Sequence, residues 1–271
     1  MALAPTIPTH LDRILTRTRA IVDDRKSSAD IAALERAAAA HTPRGFAQAL
    51  RTQRAAQTWP AVIAELKKAS PSKGIIRPEF DPAALAQSLA AGGASCLSVL
   101  TDEEFFHGSL RNLELAHASA SIPCLRKDFM VDPFQRLEAR AAHADAILLI
   151  VAALTDAELK TLARSATEHE LDILCEVHDA EELDRVLQLG VRLDLIGVNS
   201  RDLRTFHVDP QVQLDLAQRI PSTVVRVAES GVRTRADMDT LTAAGYDAFL
   251  VGEALMREPD PGAALATLLG R

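Results

Sequence analysis

The sequence predicts a closed (β/α)8 (TIM) barrel, an α/β fold, with a helical N-terminal extension. From Trp59 onward, short apolar runs alternate with segments whose apolar residues recur at helical spacing, and there are eight such runs. The runs lack strict polar alternation, which is typical of parallel strands covered on both faces. Strands that alternate with helices pair in parallel through right-handed crossovers. Eight units in roughly 200 residues favour a closed barrel over the alternative, an open doubly wound sheet.

Residues 1–58 have a different pattern. They are charged and rich in alanine, with a break at residues 41–45 (HTPRG), so we expect helices there and no strand. Because no linker or low-complexity segment divides the chain, the sequence predicts a single domain over residues 1–271, with residues 1–58 as the extension.

The predicted strands and helix ends follow in chain order. The strands are residues 61–66, 96–100, 123–127, 146–151, 172–176, 193–198, 223–228 and 248–251. Aspartate followed by proline suits an N-cap and the first helical turn, and such pairs occur at Asp81-Pro82, Asp132-Pro133, Asp209-Pro210 and Asp260-Pro261. Thr155 and Glu158 have the spacing of a capping box, while Gly190 and Gly245 are placed to end two helices.

Composition excludes several classes of protein. The net charge is −7 without any block of basic residues, which argues against a nucleic-acid partner. The longest apolar run, residues 146–154, is too short to span a bilayer, and the N-terminus lacks a signal-peptide pattern, so we expect a soluble cytoplasmic protein. Cys96, Cys124 and Cys175 lie far apart in apolar runs, which predicts reduced thiols and no metal site.

The chemistry of a barrel of this kind lies at the C-terminal ends of its strands. At the end of the first strand, Glu65 and Lys67 are two residues apart and therefore share a face. They could form a purely structural pair, although burying charges without a use is costly. Ser70 and Lys73 match an S-x-x-K motif, but no SDN or KTG element accompanies it, which excludes a penicillin-recognising enzyme.

Later strand ends add further polar groups. Phe105 and Phe106 follow the second strand and predict either a surface for a planar ligand or simple packing beneath the loop, and His107 is interpreted as a loop histidine. The third, fifth and sixth strands end in Lys127 with Phe129, Glu176, and Asn199 with Arg201. Each alone could be a rim salt bridge or a cap, but together they indicate a site.

The last two strand ends are typical of a phosphate site. They are Glu229-Ser230-Gly231 and Gly252-Glu253, in the two loops that bind phosphate in many barrels through backbone N–H groups. Gly231 and Gly252 allow close approach of the backbone, although ordinary turn chemistry is the alternative.

Four segments together resemble the indole-3-glycerol phosphate synthase family. They are residues 63–74 (IAELKKASPSKG), 126–129 (RKDF), 196–203 (IGVNSRDL) and 228–231 (AESG). The resemblance runs from the N-terminal helices to Arg257, and it is most specific at the first and sixth strands. It implies a carboxy-lyase of tryptophan biosynthesis that converts 1-(2-carboxyphenylamino)-1-deoxyribulose 5-phosphate to indole-3-glycerol phosphate, with loss of carbon dioxide and water.

The resemblance also implies a role for each strand-end residue. Lys127 matches the general acid of ring closure, and Glu176 matches the general base of the dehydration. Lys67, held by Glu65, matches the residue that contacts the substrate carboxylate and assists proton transfer. The intermediate would be oriented by Asn199 and Arg201, with Glu229 beside them.

The substrate itself would lie between two sets of residues. The anthranilate ring would be walled by Phe106, Phe129, Leu148 and Leu203. The phosphate would rest on Ser70, Ser230, Gly231, Gly252 and Glu253. No metal or organic cofactor is implied, the partner is a phosphorylated small molecule rather than nucleic acid or a membrane, and a monomer is slightly favoured.

Two other functions are consistent with a phosphate-binding barrel. One is phosphoribosylanthranilate isomerase, which is expected to use a Cys/Asp pair, whereas lysine and glutamate end the strands here. The other is a non-catalytic barrel that binds a phosphorylated metabolite, and such a protein would have no use for Lys127 or Glu176.

Overall fold

The computed structural model describes residues 9–202, 205 and 207–271, and within them it contains the predicted eight-stranded parallel barrel. Its strands are β1 (Ala61–Leu66), β2 (Cys96–Leu100), β3 (Cys124–Lys127), β4 (Ala146–Ile150), β5 (Asp172–Val177), β6 (Leu195–Asn199), β7 (Val225–Glu229) and β8 (Ala248–Val251). Neighbours in sequence pair in parallel, and β8 pairs with β1 to close the barrel. The predicted strand ends agree with these bounds to within two residues.

Alternation along each strand separates two hydrophobic layers. On β1, Val62 and Ala64 pack outward against the helices, whereas Ile63 packs into the barrel interior with Leu125 of β3 and Leu148 of β4. Because successive side chains of a strand point to opposite faces, Glu65 and Ile63 share the interior face. The carboxylate is therefore directed into the barrel.

The helices outside the barrel begin largely where the sequence predicts. Those that follow the first strand are Pro82–Gly92, Glu103–Phe106, Leu110–Ser119, Pro133–Ala141, Asp156–Glu168, Ala180–Gln188, Gln211–Leu216, Arg235–Ala244, Glu253–Met256 and Pro261–Leu269, with 3-10 turns at Val151–Ala153 and Ala217–Arg219. The capping box of Thr155 and Glu158 is present. The prediction at Asp209-Pro210 is one residue early, because that helix begins at Gln211, although Asp209 still accepts a hydrogen bond from the Gln211 N–H.

The extension consists of three helices, His10–Ser28, Ile31–Ala40 and Phe46–Ala56, and no strand occurs among residues 9–58. The third helix closes the N-terminal end of the barrel. There the Phe46 carbonyl accepts a hydrogen bond from the Cys96 thiol at 3.6 Å, and the Ala47 N–H donates to Asp172 at 2.8 Å. Cys96 and Asp172 are the first residues of β2 and β5, so this helix lies at the strand starts.

The first helix lies instead against the C-terminal rim. Its Arg17 pairs with Glu104 in the loop after β2, and its Arg19 pairs with Glu158 after β4. Across the described ranges, no helix combines the length and the apolar character that a membrane span requires.

A small hairpin in the loop after β1 was not predicted. Ala69–Ser70 pairs antiparallel with Gly74–Ile75, and Gly74 adopts a left-handed conformation with φ of 64°. Strands of two residues are too short to produce an alternating pattern, so the sequence could not reveal them. The hairpin holds the Ser70 loop beside the opening of the barrel.

Candidate active site

A cavity of about 660 Å³ opens at the C-terminal ends of the strands, where the reacting groups of such barrels lie. Every predicted site residue within the described ranges lines it, and Leu203 falls outside those ranges. These lining residues are Glu65, Lys67, Ser70, Phe106, Lys127, Phe129, Leu148, Glu176, Asn199, Arg201, Glu229, Ser230, Gly231, Gly252 and Glu253. His107 is exposed and lies outside the lining, as expected of a loop histidine.

Four charged side chains enter the cavity from alternate strands. They are Glu65 on β1, Lys127 on β3, Glu176 on β5 and Glu229 on β7, and together they form what we term the charged layer. In (β/α)8 barrels the side chains of one interior layer come from alternate strands, which explains why residues so distant in sequence meet here.

Lys127 is at the centre of this layer. Its Nζ lies 2.8 Å from Glu176 Oε2 and 3.0 Å from Glu229 Oε2, and both carboxyl groups are buried. Two carboxyl groups therefore share one ammonium group away from solvent.

The pKa values of these three groups diverge. Burial alone would lower the pKa of Lys127, but Glu176 and Glu229 outweigh it and hold that pKa above its ordinary value. Burial opposes charge on Glu176 too, yet Lys127 and His178 hold its pKa well below the usual range. For Glu229, burial dominates and raises the pKa to about 8, with Glu176 adding to the rise. The surroundings thus favour negative charge on Glu176 and oppose it on Glu229.

Two glycines provide the space for these carboxyl groups. A Cβ at Gly197 on β6 would lie 1.9 Å from Glu229 Oε1, and a Cβ at Gly252 would lie 2.3 Å from Glu65 Oε1. Both distances are far below van der Waals contact, so any side chain at either position would displace a glutamate of the charged layer. The sequence suggested Gly252 only as a phosphate contact.

Lys67 and Asn199 are also held in defined positions. Lys67 Nζ donates a hydrogen bond of 2.5 Å to Glu65 Oε1, as the two-residue spacing predicts. Asn199 Oδ1 accepts the N–H of Arg201 at 3.0 Å, and Arg201 pairs through its backbone with Val208. The oxygen of the Asn199 amide is thereby engaged, which leaves its NH2 group as the donor toward the cavity.

The apolar wall of the cavity is built around Phe106 and Phe129. Their ring centroids are 6.3 Å apart, and Leu148 lines the same cavity. The short helix that carries Phe106 is capped by Asp102, whose Oδ1 accepts the N–H groups of Phe105 and Phe106. Both Phe105 and Phe106 pack against the interior cluster, and of the two Phe106 also lines the cavity.

The phosphate-type loops lie on the opposite side of the opening. Ser230 and Gly231 both adopt left-handed conformations, with φ of 62° and 77°. Glu253 Oε1 is 2.9 Å from the Arg257 guanidinium, and although burial opposes it, this contact lowers the pKa of Glu253. The negative charge of Glu253 is therefore balanced by Arg257.

Several cavity residues escaped the sequence analysis. They are Asp102, Lys73, Arg233 and Arg257 in the lining, and His178, whose Nε2 lies 3.4 Å from Glu176 Oε1. The loop residues follow no pattern that points to the cavity. His178 could have been found, because it lies two residues after Glu176 and so continues the alternation of β5.

The described residues also contain a histidine cluster at the other end of the barrel. The ligand atoms of His41, His117 and His143 lie within 4.8 Å of one another, with Cys124 and Asp145 close to His117. These residues are far apart in the sequence, so no motif announces them. The rings of His117 and His143 stack at 18°, and an Arg44 nitrogen lies 3.0 Å from His117 Nε2. Stacked rings direct their in-plane lone pairs along nearly parallel planes, and among the hydrogen bonds of the described residues the Arg44 guanidinium meets His117 alone of the three histidines.

The chain resembles known proteins over almost its whole length. Residues 11–268 match the family model described as indole-3-glycerol phosphate synthase. An indole-3-glycerol phosphate synthase of Koribacter versatilis (strain Ellin345) is 55% identical over 260 residues, which cover 96% of this chain and 98% of that relative.

Solved structures with low identity share the fold. Thiamine phosphate pyrophosphorylase from Pyrococcus furiosus is 16% identical with a TM-score of 0.55, covering 80% of this chain and 95% of its own. N-acetylmannosamine-6-phosphate 2-epimerase from Clostridium perfringens is 12% identical with a TM-score of 0.56, covering 72% and 86%. At these identities the likeness concerns the barrel alone.

Proposed function

Because this chain belongs to the indole-3-glycerol phosphate synthase family, we propose that the charged layer and the walls around it perform the steps of that reaction. The chain is a carboxy-lyase of tryptophan biosynthesis. It converts 1-(2-carboxyphenylamino)-1-deoxyribulose 5-phosphate to indole-3-glycerol phosphate, with loss of carbon dioxide and water. The roles of individual residues below are proposals.

Lys127 is the general acid of ring closure. The aromatic carbon that bears the carboxylate attacks the ketone, and negative charge develops on the ketone oxygen. An alkoxide is far more basic than an amine, so proton transfer from a charged lysine is downhill. The buried carboxyl groups at 2.8 and 3.0 Å keep Lys127 charged in the resting enzyme, which is the form that ring closure requires.

Glu176 is the general base of the dehydration. Loss of carbon dioxide restores the aromatic ring, and the new hydroxyl then leaves as water while a proton is removed from the neighbouring carbon. Only an ionised carboxylate can accept that proton, and although burial opposes it, Lys127 and His178 hold the pKa of Glu176 well below its usual range.

Lys67, Asn199 and Arg201 bind and orient the substrate. Lys67, held by Glu65 at 2.5 Å, is suited to contact the substrate carboxylate, and the Asn199 NH2 group is directed by the hydrogen bond that its oxygen accepts from Arg201. Glu229, whose pKa burial raises, lies beside them.

Binding of the two ends of the substrate follows from the shape of the cavity. The anthranilate ring fits against Phe106, Phe129 and Leu148. The phosphate fits the side formed by Ser70, Ser230, Gly231 and Gly252 with Glu253, where Lys73, Arg233 and Arg257 add positive charge. The carboxylate of Glu253 is compatible with a bound phosphate because Arg257 pairs with that carboxylate.

Neither alternative function has comparable support. A Cys/Asp isomerase would require a cysteine in the cavity. Among the described residues that line the cavity there is none of the three cysteines. A non-catalytic barrel leaves a lysine held between two buried glutamates without a purpose. The three cysteines are buried and free, which supports a reducing, cytoplasmic location. A single domain, a monomeric state and the lack of a nucleic-acid or membrane partner stay predictions.

The observation that carries the assignment is the contact of Lys127 with Glu176 and Glu229. Substituting Lys127→Ala removes the acid of ring closure, so turnover, followed as growth of indole fluorescence in EDTA, should fall by about 10³- to 10⁴-fold. A single turnover should then release no carbon dioxide, because release follows ring closure. Near-normal turnover of Lys127→Ala together with an inactive Lys67→Ala would assign the acid to Lys67 instead.

A further inference from the structure

The two glutamates that share Lys127 have unequal surroundings. Glu176 meets Lys127 through Oε2 at 2.8 Å and His178 Nε2 through Oε1 at 3.4 Å. Glu229 meets Lys127 through Oε2, and its buried Oε1 has no hydrogen-bond partner within the described ranges. His178 Nε2 has none there either, so it meets Glu176 at an ion-pair distance without hydrogen-bond geometry. Among the described residues, Glu176 thus lies between two basic side chains, whereas Glu229 adjoins one.

His178 is built to carry a positive charge. Its Nδ1 lies 3.1 Å from Glu182 Oε2, which also accepts the His178 backbone N–H at 2.7 Å. The ring is therefore held between the carboxylates of Glu176 and Glu182. Burial by itself would lower the pKa of His178, but these two carboxylates raise it to about 10.

The contacts from Glu182 through His178 to Glu176 have other ionisable groups on both sides. Toward the active-site cavity they continue from Glu176 to Lys127 and Glu229. A second cavity of about 280 Å³ borders His178, and its other ionisable lining residues are Asp179, Glu182, Asp202, His207 and Asp209. This second cavity is predominantly acidic, which also favours a charged imidazole.

We propose that His178 is a positioning residue that decides which of the two glutamates carries the negative charge: beside the imidazolium Glu176 is the carboxylate, so Glu229 is the carboxylic acid. The inference rests on the proposed role of Glu176 as the base of the dehydration. Two buried carboxyl groups beside one ammonium cannot both ionise at low cost, so the one with the second cation ionises first.

It matters which glutamate carries the negative charge, because the carboxyl groups of Glu176 and Glu229 lie in different parts of the site. Glu229 Oε1 fills the space left by Gly197, whereas Glu176 adjoins the second cavity through His178. Without His178, the negative charge would be divided between Glu176 and Glu229. A Glu176 that holds a proton cannot remove one from the intermediate, so dehydration would slow while ring closure continued.

The test compares His178→Gln, which keeps a neutral donor, with His178→Leu, which keeps none. Single-turnover release of carbon dioxide reports ring closure and decarboxylation, and indole fluorescence reports dehydration, each between pH 5 and 10. In both variants we expect unchanged release of carbon dioxide, with dehydration slowed about twofold near pH 7, where the charge is divided between two carboxyl groups, and slowed further toward pH 5. Loss of a neighbouring positive charge raises the pKa of Glu176. The acid limb, the pH range in which the dehydration rate falls as Glu176 takes up a proton, should therefore move up by about one pH unit or more. Each unit corresponds to a tenfold change in the proton affinity of Glu176.

Two further variants sharpen the comparison. Glu182→Gln leaves His178 in place but removes one of its two anions, so it should move the acid limb by less than His178→Leu does. His169→Leu changes a histidine at the C-terminal end of the Asp156–Glu168 helix, away from the cavity, and should leave both rates unchanged. Circular dichroism and thermal unfolding confirm that each variant is folded.

Infrared spectroscopy gives a readout independent of turnover. At pH 7, Glu229→Gln should remove the C=O band of a protonated carboxylic acid from the enzyme with His178, but only part of that band from the His178→Leu background.

The outcomes separate this inference from the proposed function. Slow dehydration in Glu176→Gln with a normal pH profile in His178→Leu would overturn the role of His178 alone. A loss in His178→Leu that is equal at every pH and accompanied by a raised KM would indicate a merely structural histidine and would also overturn it. Normal dehydration in Glu176→Gln would instead reject Glu176 as the base, and the inference would fail with it.

Discussion

At the scale of the residue, Lys127 and Glu176 act in different steps of the reaction: Lys127 in ring closure and Glu176 in the later dehydration. Glu176→Gln keeps the size of the side chain and removes the base. We expect turnover to fall by about 10²- to 10³-fold, less than in Lys127→Ala, because ring closure and decarboxylation are preserved. Rapid-quench analysis of the variant should find a decarboxylated, still hydroxylated intermediate.

The opposite result is equally informative. Accumulation of a species that has not yet lost carbon dioxide in Glu176→Gln would assign Glu176 to the first half of the reaction. Glu181→Gln is the matched control, since it makes the same chemical change in an exposed glutamate at the start of the Ala180–Gln188 helix.

Some residues of the site could be predicted from the sequence pattern, and others could not. Lys127, Glu176 and Asn199 were identified because each ends an apolar run, and the alternation of a strand directs it inward. Asp102 and Arg257 could not be found in this way. Their positions depend on loop geometry, and a loop has no period from which direction can be derived.

At the scale of the element, the Phe46–Ala56 helix stabilises the barrel at the end remote from the chemistry. Phe46 is fully buried against the strand starts. Phe46→Ala should therefore lower the free energy of unfolding by about 3–5 kcal/mol, the usual effect of a large cavity. Turnover of the folded variant at low temperature should stay close to normal, because the cavity that binds substrate lies at the other end.

Denaturant titration monitored by Trp59 fluorescence and circular dichroism measures this change. Ile31→Ala is the control, since Ile31 is 40% exposed and its loss should change stability by no more than about 0.5 kcal/mol. Equal destabilisation by the two substitutions would contradict the view that the third helix closes the barrel.

The elements themselves were largely predictable, and the exceptions have physical reasons. Buried parallel strands are apolar throughout, and the capping residues of the helices make local hydrogen bonds, so both appear directly in the sequence. The hairpin of Ala69–Ser70 and Gly74–Ile75 is too short for a pattern. The contacts of the first helix with Glu104 and Glu158 join segments distant in sequence, and no local signal specifies them.

At the scale of the whole molecule, the histidine cluster makes stability depend on pH. Burial, aided by the charges of Arg44 and His41, lowers the pKa of His117 to about 4 in the folded chain. An unfolded histidine titrates near pH 6.5. Between these values the unfolded chain binds the proton and the folded chain does not, so stability falls as the pH drops from about 6.5 to about 4.

His117→Phe keeps an aromatic ring in the cluster and removes the titration. Its melting temperature should therefore fall less between pH 7 and pH 5 than that of the parent chain, as measured by calorimetry. The carboxylates contribute equally to both proteins, so the comparison isolates the histidine. Parallel melting curves over this range would contradict the assignment of a lowered pKa to the half-buried His117.

The glycines beneath the charged layer have a consequence for the evolutionary history of the chain. Gly197 leaves room for Glu229, and Gly252 leaves room for Glu65, each across a pair of neighbouring strands. A lineage that replaced Gly197 first would displace a glutamate that it still uses, whereas one that shortened Glu229 first would open a void. We therefore expect each glycine and its glutamate to change together among related chains, because a change in one alone either displaces the carboxyl group or leaves a void.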